Sequence, residues 1–146
     1  MRITLIGIFV LALCGVTGSA KAGMMTAGEL AEHCKWSTAY DNTEGSKQDA
    51  IATEHGFEIG ICIGFVAGWQ EGTEGAVIKI DNVFHLMNFE SGTKVGQLVR
   101  VFIVYIKQHP EFENKLADFA LGGAAVDAKL LALKPVGPAV NAASAN

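Results

Sequence analysis

The stretch Gly56-Phe57-Glu58-Ile59-Gly60-Ile61-Cys62-Ile63-Gly64-Phe65-Val66-Ala67-Gly68-Trp69-Gln70-Glu71-Gly72 carries a glycine at every fourth position. Residues four apart lie one above another on an α-helix, so the glycines form a single stripe. Each glycine costs a helix interior up to about 1 kcal/mol against alanine. Close approach of a second helix to the bare backbone is the natural compensation. Cys62, Phe65, Val66 and Trp69 follow at spacings of three and four and supply an adjoining apolar face. The pattern predicts one long helix from Gln48 to about Gln70, with Gly60, Gly64, Phe65 and Gly68 as its packing motif. Its apolar part, Phe57 to Trp69, is short and includes Glu58, so it reads as a core helix and not a membrane span.

Upstream, Thr26 and Glu29 have capping-box spacing and predict a first helix through Leu30 and Ala31 to about Trp36. Ser37 to Lys47 is polar, contains Asp41, Asn42 and Gly45, and reads as a loop. Downstream, Glu71 to Gly92 is an apolar but aperiodic connection that leaves room for a short irregular or strand segment. Long connections in compact domains often carry function, which makes Glu71, Glu74, Asp81 and His85 the candidate partner-binding residues.

A third helix is expected from Lys94 to Gln108, capped by Ser91 or Thr93, with Val95, Leu98, Val99, Phe102, Ile103 and Ile106 on one stripe. Pro110 suits the first position of a fourth helix, and Glu111 and Glu113 favour that terminus through the helix dipole. Phe112, Leu116, Phe119 and Ala120 continue an apolar face, weakened at Gly122-Gly123 and resumed from Ala124 to Leu133; Pro135, Gly137 and Pro138 end regular structure. The expected fold is all-α: a compact four-helix domain over residues 23–134 with one disulfide, followed by a disordered tail over 135–146.

The N-terminus sets the compartment. Arg2, an apolar run from Ile3 to Val16 and the small-residue end Ala20-Lys21-Ala22 read as a secretory signal peptide over residues 1–22. Its removal takes Arg2, Lys21 and Cys14, so the 11 basic residues become 9 against 15 acidic ones and the formal charge moves from −4 to −6. An acidic chain without a basic cluster gives no reason to expect nucleic acid. Two cysteines remain, Cys34 and Cys62, and pairing is the default in an oxidising compartment. Cys62 lies inside the apolar Ile61-Cys62-Ile63, far from the electropositive helix N-terminus that activates a thiol.

His33, His55, His85 and His109 fall on separate segments with no metal-ligand spacing, and no phosphate-binding or dinucleotide-binding loop and no nucleophile elbow is present. The expectation is a protein without metal or cofactor that is not an enzyme and has no membrane segment once the signal is removed.

Gly60-Ile61-Cys62-Ile63-Gly64-Phe65-Val66-Ala67-Gly68 resembles the central motif of the Rap/Tai family of periplasmic immunity proteins: cysteine, any residue, glycine, aromatic, valine, any residue, glycine. Gly96-Gln97-Leu98-Val99-Arg100-Val101, with Tyr105-Ile106 and His109-Pro110-Glu111, resembles its second block. The similarity covers about Leu30 to Leu133. It implies an all-helical domain, often dimeric, that binds a peptidoglycan amidase effector of a type VI secretion system and occludes its cleft. It also implies a Cys34–Cys62 pair. Members commonly carry a second cysteine pair, and here Phe84-His85-Leu86-Met87 and Leu131-Ala132-Leu133-Lys134 stand in those regions without one. A periplasmic chaperone-like or structural helical module without an amidase partner is the alternative role for the same scaffold.

Overall fold

The computed structural model describes residues 24–136; the expected signal peptide and residues 137–146 lie outside them. Helix α1 spans Ala27–Asp41 and opens with the expected capping box: Thr26 Oγ1 accepts from Glu29 N at 3.2 Å and Thr26 N donates to Glu29 Oε2 at 2.8 Å. The backbone bond to Thr26, and then its hydroxyl, hold the Glu29 carboxyl below its ordinary range. α1 runs five residues past the expected end at Trp36, because Ser37 is buried and the Thr38 hydroxyl donates back to Cys34 O at 3.3 Å.

Helix α2, Ser46–Thr73, follows a short turn through Gly45 at φ +64°. Its backbone leaves helical geometry at His55, whose ring stacks on Trp36 of α1 with centroids 3.4 Å apart. Cys34 and Cys62 are bonded, joining the two helices at a Cα–Cα distance of 5.0 Å. Helix α3, Val95–Gln108, begins one residue after its expected start, with Lys94 and not Thr93 or Ser91 at the cap. It lies at the centre of the core: Leu98, Val99, Phe102 and Ile106 are buried with Leu30, Cys34, Cys62 and Val66.

The expected all-α fold is overturned, because the chain is α+β. Strands β1 (Val77–Ile80), β2 (Val83–Phe89) and β3 (Leu131–Val136) form an antiparallel sheet in that spatial order. Asp81 and Asn82, both at positive φ (47° and 64°), make the two-residue turn between β1 and β2. That turn matches the twist of paired strands and accepts Asp and Asn there.

The expected continuous fourth helix is also corrected. Pro110–Phe112 is one 3-10 turn, and helix α4 covers only Ala117–Asp127. Residues 113–117 are instead engaged with the start of α1. Gly28 N donates to Glu113 O at 2.9 Å, Ala27 N to Lys115 O at 2.8 Å, and Ala117 N to Met25 O at 3.0 Å. These bonds satisfy backbone N–H groups that a helix N-terminus leaves unpaired.

After α4, Lys129 at φ 58° turns the chain into β3, pairing Phe89 with Leu131 and Phe84 with Val136. Pro135 lies within β3, where an edge strand tolerates the missing donor. Regular structure therefore continues two residues past the expected boundary at Lys134.

Among the described residues α2 is the one helix long and apolar enough to cross a membrane by length and composition. It buries only Cys62, Val66 and Thr73. At Gly56, Gly60, Gly64, Gly68 and Gly72 a Cβ would meet no heavy atom within 4 Å. The close helix packing expected on that stripe is not made within the described residues, whereas Phe65 packs against the core.

Candidate functional site

The sheet places one of its faces over α4 and encloses a cleft of about 780 Å³. Strand register decides which residues face it, since cross-strand partners share a face. Met87 pairs with Leu133, and both line the cleft with Ile78 and Leu131. The opposite wall is one half of the α4 surface, with Phe119 and Val126 at its centre, Gly122 and Gly123 beside them, and Asp118 and Asp127 at its two opposite margins. Trp69 from the end of α2 and Tyr105 and His109 from the end of α3 complete the lining, and Trp69 meets Phe89 edge-to-face at 5.5 Å.

Gly123 lets the Tyr105 ring lie close against α4. A Cβ there would stand 2.8 Å from Tyr105 Oη and 3.1 Å from Cζ, inside van der Waals contact. The adjoining Gly122 faces open space, with no heavy atom within 4 Å of its Cβ position. Tyr105, Phe112 and Phe119 form a continuous aromatic series with centroid separations of 5.5 and 5.9 Å.

Burial, and then the charges of Asp127 and Glu111, raise the Tyr105 phenol above its ordinary value. His109 Nδ1 lies 3.2 Å from Glu111 Oε1. The Glu111 carboxyl is held below its ordinary range by a backbone N–H bond first and by His109 next. Phe119 is 65 % exposed, with Leu116 and Val126 also open to solvent, so much of this apolar lining is uncovered.

The residues expected to contact a partner do not form one cluster. Glu71 and Glu74 line a shallow depression with Glu90 and Thr93 at the base of the β1–β2 hairpin. Glu74 Oε2 accepts from Phe89 N at 2.8 Å, so this carboxylate also holds the end of β2 beside the end of α2. Asp81 is at the hairpin tip, about 13 Å along the strand from its base. His85 is half-buried in β2, on the same sheet face as Ile78, and its Nδ1 contacts Val83 O at 3.2 Å. Gly60, Gly64 and Gly68 remain on the outer side of α2.

Sequence reasoning did not single out Tyr105, Asp118, Phe119 or Asp127 as a site. The usable signal was the Gly122-Gly123 doublet inside an apolar helix, which marks room on one face as much as weakness. As for chemistry, both cysteines are consumed by the disulfide, and among the described residues no group of three His, Cys, Asp or Glu side chains could hold a metal ion. The cleft is suited to receiving apolar groups, with carboxylates at its ends.

No family model, curated protein or solved structure matches this chain.

Proposed function

We propose that the mature chain is a periplasmic immunity protein that binds a peptidoglycan amidase effector of a type VI secretion system and blocks its cleft. The observation that carries this reading joins sequence to geometry. Tyr105 and His109, from the second block that resembles the Rap/Tai family, and Trp69, which follows the first, line one exposed apolar cleft. Contiguous exposed apolar surface on a small domain marks an interaction site, and inhibition by occlusion needs a surface and no catalytic group.

The test is co-expression. An amidase effector directed to the periplasm of a sensitive bacterium should arrest growth, and this chain, exported with it, should restore growth and co-elute with the purified amidase. Lysis that continues in spite of the exported chain, together with no complex on gel filtration, overturns the reading for that effector.

A chaperone-like role is the second reading, favoured by the exposure of Phe57 (77 %) on α2 in addition to Phe119. It expects the chain to suppress aggregation of unrelated unfolded proteins, which an immunity protein specific for one amidase would not do.

A further inference from the structure

We infer that the outer face of the sheet, turned away from α4, is a second docking surface, for a protein partner that presents carboxylates beside apolar side chains. The surface is separate from the cleft, and the inference does not rest on the partner being an amidase.

Strand register gives the composition of this face. Lys79, Phe84 and Val136 stand side by side in one row across β1, β2 and β3, and Val77, Leu86 and Lys134 in the next. Cross-strand partners share a face, and α4 and the cleft lie on the other one, with Ile78, Met87 and Leu133. An antiparallel sheet that leaves one face in water normally makes that face polar. Here Val77, Phe84 and Val136 are 55 %, 52 % and 42 % exposed, and Leu86 is half-buried beside them. Contiguous apolar surface with a charged rim marks an interaction site.

Charge selects the partner. The chain has 15 acidic residues, yet the charged side chains of these two rows are both lysines. The third row, Asn88 and Ala132, is uncharged. Neither Lys79 nor Lys134 is ion-paired among the described residues. Lys79 Nζ lies 5.8 Å from the centre of the Phe84 ring, which holds its charge over the apolar middle of the face.

The same lysines argue against other occupants. A second copy laid face to face would set lysine against lysine with no acid between them. Lys79 and Lys134 sit on the edge strands β1 and β3, where charged side chains oppose the addition of a further strand. Binding to an anionic bilayer takes a cluster of about four to eight basic residues, and an acidic chain is repelled by it. A protein surface with carboxylates next to apolar groups satisfies both parts of the face.

The test uses the mature, disulfide-bonded chain and the peptide acetyl-Glu-Leu-Phe-Glu-amide, followed by amide chemical shifts. Saturable shifts should appear in β1, β2 and β3 and not in α4. Lys79→Glu with Lys134→Glu should weaken binding at least tenfold and should confer binding of acetyl-Lys-Leu-Phe-Lys-amide, which the parent does not bind. Phe84→Ser should also weaken binding of the glutamate peptide at least tenfold, while unchanged far-ultraviolet circular dichroism reports an intact fold. Equal binding of the two peptides by the parent, unchanged affinity in the folded Phe84→Ser chain, or no saturation by the glutamate peptide at millimolar concentration would each overturn the inference. So would adsorption to phosphatidylglycerol vesicles that the two lysine substitutions abolish, because the occupant would then be lipid. Self-association of the parent that Phe84→Ser abolishes would overturn it in favour of a second copy. None of these outcomes depends on the amidase rescue, so the two readings fail separately.

Discussion

The two faces of α2 differ sharply although they share one backbone. The inner face presents Cys62 and Val66, both without solvent exposure, and ties the helix to α1 through a covalent bond. The outer face presents five glycines that touch nothing within 4 Å where a side chain would begin. The helical glycines with close neighbours lie elsewhere and belong to no pattern. Gly28 sits where a Cβ would be 3.2 Å from Glu113 O, and Gly123 beside the Tyr105 ring. Periodicity therefore reports that a surface is smooth, and only tertiary structure reports whether anything lies against it.

The largest expected effect tests the inner face. Replacing Cys34 and Cys62 together by alanine opens a loop of 28 residues and should lower stability by about 3–4 kcal/mol. Urea denaturation of the oxidised parent and the variant measures it. An unchanged midpoint would mean that α1 and α2 are held mainly by packing, and the contrast between the faces would lose its covalent part.

Next in size is the close approach in α4. Gly123→Ala gains helix propensity of up to about 1 kcal/mol but forces the Tyr105 ring aside, an overpacking cost of about 1–3 kcal/mol. The net expectation is destabilisation by about 1 kcal/mol. Adding Tyr105→Phe removes the nearest atom, Oη, and should recover part of the loss. A single Gly123→Ala variant more stable than the parent would show that the ring moves freely and that the cleft wall is not fixed by this contact.

These contrasts also explain what was legible beforehand. The capping box at Thr26 and Glu29 and the pairing of two cysteines are local or arithmetical, so sequence alone carries them. The sheet is different. Asp81-Asn82 between Val77–Ile80 and Val83–Phe89 is only a weak hairpin signal, because the glycine of the common two-residue turns is absent. Period-two alternation is also hidden, because Val77 and Phe84 on the outer sheet face are apolar and exposed, at 55 % and 52 %. Strand β3 was masked by Pro135, which ends a helix or a central strand but is harmless at an edge. The break before α4 depends on N–H groups of α1, more than 80 residues earlier in the chain, reaching the carbonyls of Glu113 and Lys115. The cleft inherits this limit: its walls come from α2, β1, β2, α3, α4 and β3, and no local window contains them.

The smallest expected effect, of opposite sign, probes the bare face. Gly64 lies at the middle of the stripe, within a helix and away from any contact. Gly64→Ala should therefore raise stability by up to about 1 kcal/mol, the intrinsic preference of a helix interior for alanine. Dilute protein should show this as a higher denaturation midpoint. The same substitution also asks whether the stripe is covered by another molecule in solution. If two copies met there, the added methyl would hold the backbones apart, so sedimentation velocity of parent and variant over a hundredfold range of concentration would show weaker self-association in Gly64→Ala. A stabilised variant with unaltered sedimentation keeps the outer face of α2 bare. A destabilised variant whose midpoint depends on concentration would mean that the stripe packs after all, against a partner outside its own chain.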